Sequence, residues 1–160
     1  MFEIKGSPAD FDFLPGTWTV HNRKLTAILS GGNEWDEFPS RARAWKLFEG
    51  TGSAVSIDEF QAPDRGFSGM SVRLFDPEKR QWTIDWANSR FGRFEPSPVR
   101  GGFQDGVGLF YGEDTYDGRP ILVRYTWSDI TDRSARWQQA FSADGGQDWE
   151  TNWIMELSRA

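Results

Sequence analysis

No long stretch of this chain places apolar residues at i, i+3 and i+4, the spacing with which a helix buries one face. They alternate instead with a period of two, in short runs separated by turn signals. Thr17–Leu25, Ser53–Phe60, Phe67–Phe75, Gln81–Asn88, Val99–Gln104, Val107–Tyr116, Pro120–Asp129, Ser134–Ser142 and Asp148–Leu157 read as strands. Glu34–Phe38 and Arg41–Phe48 read as two extended pieces interrupted by Pro39, which cannot donate to a sheet ladder. Asp105-Gly106 and Asp117-Gly118 are hairpin signals, because these residue types accept the positive φ of a tight turn, and Asp144-Gly145-Gly146 joins the last two runs. Phe91–Pro98 reads as irregular, and Phe11–Leu14, ahead of Pro15-Gly16, as a short N-terminal capping turn. The sum is about ten short strands at roughly the 8–12-residue spacing of a meander. An open sheet of that width leaves two bare edges and an apolar face, and closing it removes both problems. The expected fold is an all-β, antiparallel, up-and-down barrel of about ten strands. It is expected as a single domain over residues 1–160. Such a barrel has room inside for side chains or one small ligand.

Rings dominate what must be buried: 9 Trp, 13 Phe and 3 Tyr. Alternation sorts them onto faces. Trp82, Ile84 and Trp86 share one, as do Ile121, Val123, Tyr125 and Trp127, then Trp149, Trp153, Met155 and Leu157, and also Met70, Val72 and Leu74; each set is expected to face the lumen. Thr151 breaks the inner row of the last strand. Trp82, Trp86, Tyr125, Trp127 and Trp153 could line an aromatic pocket, with Asn152 as a polar contact, or could fill the barrel. Nine Trp is more ring area than a small core requires, which favours the pocket.

Charge and cysteine content remove whole function classes. Lys plus Arg is 18 against 24 Asp plus Glu, a formal net charge of −6, which argues against nucleic acid or an anionic membrane surface as a partner. Arg41 and Arg43 come closest to a basic cluster. There is no Cys, so disulfides, thiolate nucleophiles and cysteine metal sites are excluded. Met1–Asp10 carries Glu3 and Asp10 and no apolar core of a secretory signal, and a cytoplasmic location is expected.

Two local motifs are structural. In Gly16-Thr17-Trp18 the tryptophan opens the first strand, and Arg159 falls on the inner parity at the end of the last. In Ser142-Ala143-Asp144-Gly145-Gly146-Gln147-Asp148-Trp149, Asp144 can accept backbone N–H bonds, Gly146 supplies a positive φ and Trp149 packs under the hairpin. This is the Asp-box pattern with Asp148 in place of Thr, and a single copy says hairpin rather than enzyme. Candidate chemistry rests on His21, the lone histidine, and Glu59. Simple alternation puts His21 opposite Trp18 and Val20, hence outward unless a bulge re-aims it. Asp58 and Glu59 are adjacent, so one faces inward; Glu59 aligns with Val55 and Ile57. A carboxylate among tryptophans would have a raised pKa and serve as acid or base, or would simply pair with an inward arginine such as Arg159. No metal site, cofactor motif or phosphate loop is apparent.

The Gly16-x-Trp18 start resembles that of the calycin barrels, the lipocalins and fatty-acid-binding proteins; in lipocalins this Trp closes the barrel base against an arginine late in the chain, and the resemblance implies Arg159 as the cation–π partner of Trp18. Over its whole length the chain resembles a bacterial family of calycin-like (lipocalin-like) barrels of unassigned function. The residues that carry this are Phe11-Asp12-Phe13-Leu14, Val20-His21-Asn22-Arg23, Glu34-Trp35-x-Glu37-Phe38, Arg73-Leu74-Phe75-Asp76-Pro77, Gly106-Val107-Gly108-x-Phe110, Gly118-Arg119-Pro120-Ile121, Trp137-x-Gln139-Ala140-Phe141-Ser142 and Trp149-Glu150-Thr151-Asn152-Trp153. The resemblance implies the barrel and no particular reaction. Nitrobindins, haem-binding barrels of similar architecture, use a histidine near the C-terminus that this chain lacks, so no haem or other cofactor is expected.

Three readings of function stay open. The first is binding of a small apolar or aromatic molecule in the lumen. The second is a lumenal acid–base enzyme, a hydrolase, isomerase or lyase using His21 and Glu59; an enzyme is the less favoured expectation. The third is a structural or self-associating domain, a homodimer for instance, with a filled lumen and an apolar outer patch. A lumenal cavity of about 300 Å³ or more favours the first two over the third.

Overall fold

The computed structural model describes residues 3–160. Its strands are β1 (Gly16–Leu25), β2 (Trp35–Leu47), β3 (Val55–Ala62), β4 (Phe67–Asp76), β5 (Gln81–Asn88), β6 (Arg93–Phe94), β7 (Val99–Gln104), β8 (Val107–Tyr116), β9 (Arg119–Ser128), β10 (Ser134–Ser142) and β11 (Glu150–Arg159), with a single 3-10 turn at Pro63–Arg65. All pair antiparallel in the order β4-β3-β2-β1-β11-β10-β9-β8-β7-β5-β6, and β4 also pairs with β5. The sheet is therefore a closed ten-strand meander with β6 as a short appendage, and β1 pairs with β11 to join the two ends of the chain. Among the described residues no helix is long and apolar enough to cross a membrane.

Pro39 does not interrupt β2. It lies beyond the last pair with β3, Arg41↔Gln61, and opposite His21 of β1. A strand with a neighbour on one side only tolerates a residue without an N–H.

The base is sealed by rings. Phe11, 3% exposed, is delivered by the turn before β1 and meets Trp82 edge-on at 4.9 Å, Phe103 at 5.2 Å and Phe110 at 5.7 Å. Trp18 is fully buried and donates from Nε1 to the Leu14 carbonyl at 2.8 Å. Arg159 stands 4.1 Å over the Trp18 ring and donates to the carbonyls of Pro15, at 2.6 Å, and Phe13. Arg159 thus clasps the two ends of the chain and has no inward carboxylate partner. Gly16, at φ +121°, leaves room for it, since a Cβ there would lie 2.6 Å from Nη1.

Strand β4 faces the opposite way from its apolar pattern. Met70 and Leu74 are exposed, while Phe67, Gly69, Ser71, Arg73 and Phe75 are buried. Gly69 is small because the Trp86 ring lies across it; a Cβ would fall 1.9 Å from that ring. Outside, Trp45, Ile57 and Val72 are register partners, and exposed Leu47 and Leu74 flank the buried Val55, so an apolar patch runs across β2, β3 and β4.

Candidate functional site

The lumen holds a cavity of about 80 Å³. Phe60, Trp86, Tyr125, Trp127, Trp137 and Trp153 supply much of its wall, with Trp18 toward the base. Edge-to-face contacts lock the rings, with Trp137 to Trp153 at 5.6 Å, Tyr125 to Trp137 at 5.0 Å and Trp86 to Trp153 at 6.5 Å. Of the expected pocket residues, Trp86, Tyr125, Trp127 and Trp153 line this space. Trp82 does not: it is sealed into the base, where Nε1 donates to the Ser7 carbonyl and to Asp10, both at 3.1 Å. Trp137, Gln139, Asp58, Ser71 and Arg73 line the cavity without having been singled out in the sequence as pocket residues.

The inner polar group comes from strands β3, β4, β9 and β10. Arg73, 5% exposed, forms an ion pair with Asp58, 13% exposed, and donates to Ser56 Oγ at 3.2 Å. Its guanidinium lies 5.1 Å over Phe11 and 5.9 Å over Trp127. Burial pushes the Tyr125 hydroxyl far above its ordinary 10.0, with further upward pressure from Glu95 and Asp114 and a smaller opposing effect from Arg73, so it is a neutral donor at physiological pH. Gln139 donates to Asn152 Oδ1 at 2.8 Å.

Asn152 is fully buried beside the wall. Gln139 pairs with Trp153 but Ala140 pairs with Thr151, so Asn152 is the extra residue of a bulge. That bulge separates Trp149 from the inner row, correcting the alternation-based placement. Trp149 lies outside, under Arg124 at 4.5 Å and beside Tyr111 at 6.0 Å. The hairpin before it is built as its sequence implies: Asp144 accepts from Ser142 Oγ at 2.8 Å, Gln147 N at 3.0 Å and Asp148 N at 2.9 Å, and Gly146 has φ 95°.

The two candidate catalytic groups are not in the lumen. His21 is 55% exposed and contacts Glu37 at 3.1 Å on the outer face. Glu59 is exposed, paired in register with Arg43 and Met70. The inward carboxylate is Asp58, because β3 buries Ser56, Phe60 and Ala62 rather than Ile57 and Glu59.

At the rim opposite the sealed base, Trp153 Nε1 donates to Asn22 Oδ1 at 3.0 Å, and Asn22 Nδ2 donates to Ser40 at 2.7 Å. Lys24 Nζ stands 4.4 Å over the Trp153 ring. The β1–β2 connection leans past β11 toward β9: the Leu29 N–H donates to Glu150 at 2.6 Å, and Arg119 to the Leu29 carbonyl at 3.5 Å.

A closed ten-strand meander with a ring-sealed base and an aromatic lumen defines a calycin-like, lipocalin-like barrel. Comparison with solved structures agrees. The S-type phycobiliprotein lyase CPES of Guillardia theta superposes with a TM-score of 0.51 at 13% identity, over 94% of this chain and 90% of that one. No protein-family profile matches the sequence. No curated protein matches it either.

Proposed function

We propose that the barrel binds a small, partly apolar molecule of about one ring in its lumen, and that the chain is of the bacterial calycin-like family its motifs resemble. One observation carries the binding reading: Asp58, Ser71, Arg73, Tyr125 and Gln139 converge on one cavity inside an aromatic cage. Polar groups buried in a core cost stability unless they are bonded, and a purely structural barrel would do better with apolar side chains there. Arg73 Nε has no hydrogen-bond partner. The ion pair has no net charge, so the ligand is recognised by ring faces and by the Tyr125 hydroxyl.

The volume limits size. At about 80 Å³ the cavity falls short of the ~300 Å³ that favours a ligand site over a filled barrel, so the binding reading holds only for a small ligand. Single rings fit this reading and fatty acids or haem do not. The lyase activity of the structural neighbour is not carried over, because at 13% identity the shared property is the fold. An acid–base enzyme built on His21 and Glu59 has no support, since both lie outside the lumen.

The test is Trp fluorescence titrated with indole, phenol, laurate and haem. Saturable quenching by indole or phenol, without a response to the larger two, is the expected result. No response to any of them overturns the reading.

A second reading has its own observation. The small cavity and the outer patch of Trp45, Leu47 and Leu74 favour self-association of a nearly filled barrel. Arg43 and Glu59, register partners beside the patch, give it a mixed-charge rim suited to a second copy. Analytical ultracentrifugation of the protein and of Trp45→Glu decides it. A dimer abolished by the substitution supports this reading, and a monomer in both overturns it.

A further inference from the structure

The rim carries cations that the protein's own carboxylates leave unneutralised. Three cations in all stand on the aromatic faces at this end, the third of them paired: Lys24 over Trp153 at 4.4 Å, Arg90 over Phe67 at 5.1 Å and Arg65 over Phe38 at 5.0 Å. Asp36 is taken by Arg65, whose Nε donates to it at 2.7 Å and whose Nη2 donates to its other oxygen. Among the described residues neither Lys24 nor Arg90 forms an ion pair. Lys24 lies on the inner parity of β1, with Trp18, Val20 and Asn22, and its register partner on β11 is the lumen residue Trp153. Phe67 packs on Phe60 at 5.7 Å, and Phe60, a lumen residue, touches Trp86 and Trp153, each at 6.1 Å. Both cations, of which Arg90 also donates to the Arg65 carbonyl at 2.5 Å, thus stand over rings that continue into the cavity wall.

We infer that Lys24 and Arg90 form an anion clamp at the rim, and that the lumenal ligand is a carboxylate on a flat apolar body, with the body among Trp86 and Trp153 and the head on the two cations. The inference rests on the lumenal binding reading and adds the class of ligand. Two further observations favour it. Burial, and next the charge of Arg90, hold the Lys24 amine below its ordinary 10.5, with Asp36 pulling the other way, so an anion between the two cations relieves their repulsion. Acid groups gather instead around Glu95, between β6 and β7, and Asp114 of β8. There burial and then Asp114 raise the Glu95 carboxyl above its ordinary 4.5, with Arg93 opposing, and an incoming anion is repelled from that side toward Lys24.

The experiment titrates phenylacetate and its neutral counterpart phenylacetamide into the full chain and into Lys24→Met, Lys24→Arg and Arg90→Gln, with circular dichroism confirming that each variant is folded. Phenylacetate is expected to bind about tenfold tighter than the amide. Lys24→Met and Arg90→Gln should each shrink that preference while amide binding holds, and Lys24→Arg should keep it. Equal binding of the two probes, or a preference unchanged in both charge-removing variants, overturns the clamp and leaves the pocket standing. Loss of both phenyl probes while indole still quenches also overturns the clamp alone. Absence of quenching by every probe, indole included, overturns the pocket and the clamp together.

Discussion

At the scale of single residues, the Asp58–Arg73 pair is the feature a structural core least needs. Taking both charges out of water is costly, and removing one partner leaves the other buried and uncompensated. Arg73→Met is therefore expected to destabilise the protein by about 3–5 kcal/mol, whereas the double variant Asp58→Leu with Arg73→Met should recover most of that loss. Urea denaturation of the three proteins checks it; a double variant no better than the single would show that the pair matters for more than charge balance. Tyr125 makes a pH-dependent prediction. Its hydroxyl titrates far above 10.0 in the folded chain, so the unfolded chain ionises first as pH rises. The contribution is fully present below pH 10 and is lost as pH climbs toward the folded value. Tyr125→Phe should leave stability at pH 7 nearly unchanged and flatten the alkaline decline, as read from thermal midpoints between pH 8 and pH 11. The sequence narrowed the inward carboxylate to Asp58 or Glu59, since alternation admits only one of them, but it could not tell which. Val55 and Ile57 pointed to Glu59, and the strand instead turns Ser56, Asp58 and Phe60 inward.

At the scale of elements, β4 shows why apolar alternation misleads where a lumen is polar. Met70, Val72 and Leu74 form the more hydrophobic row, yet they face outward toward the patch shared with Trp45 and Ile57. The inner row is Gly69, Ser71 and Arg73, one small enough to admit Trp86 and one charged to meet Asp58. Neither reason is visible within β4, because each lies on a different strand. Gly69→Ala tests the first. Its methyl group would overlap the Trp86 ring, so the ring must move. The variant should lose about 1–3 kcal/mol and change the near-ultraviolet circular dichroism of the tryptophans. Trp86→Phe combined with Gly69→Ala should be less damaged than the sum of the two singles, and strict additivity would argue against the contact. The last strand fails differently. Trp153, Met155 and Leu157 have the parity read from the sequence, but the extra residue Asn152 puts Trp149 on the other face. A bulge has no fixed sequence signature, so parity read across it carries no warning. The Asp-box hairpin was legible because its bonds are all local. Asp144→Ala should speed hydrogen exchange at the Gln147 and Asp148 amides, whose shared acceptor it removes.

At the scale of the whole molecule, the barrel separates an end that holds it closed from the end where the proposed ligand would enter. About ten strands and the closed meander were legible in the sequence, because turn signals and alternation limit how the ring can close, whereas the Trp18–Arg159 pairing was implied by the resemblance to calycin barrels. The size of the lumen was not, since it depends on how rings from different strands interlock. The base joins β1 to β11 through Arg159, which holds the Trp18 face and two carbonyls of the preceding turn at once. A lysine keeps the charge but not the planar fork that reaches both acceptors. Arg159→Lys should therefore cost about 2 kcal/mol, the scale of a charged hydrogen bond. Lys24 and Trp153 lie at the far ends of the same two strands, so affinity for a lumenal probe should be unchanged at temperatures where the variant is folded. Arg90→Gln should do the converse, weakening an anionic probe more than it lowers the thermal midpoint, because its side chain, bonded to the Arg65 carbonyl and lying over Phe67, adds charge at the rim and takes no part in the β1–β11 seam. Thermal melts and phenylacetate titrations of both variants provide the comparison. If Arg159→Lys weakens binding as much as stability, the two ends are mechanically coupled, and the lumen is held open from its base rather than shaped at its rim.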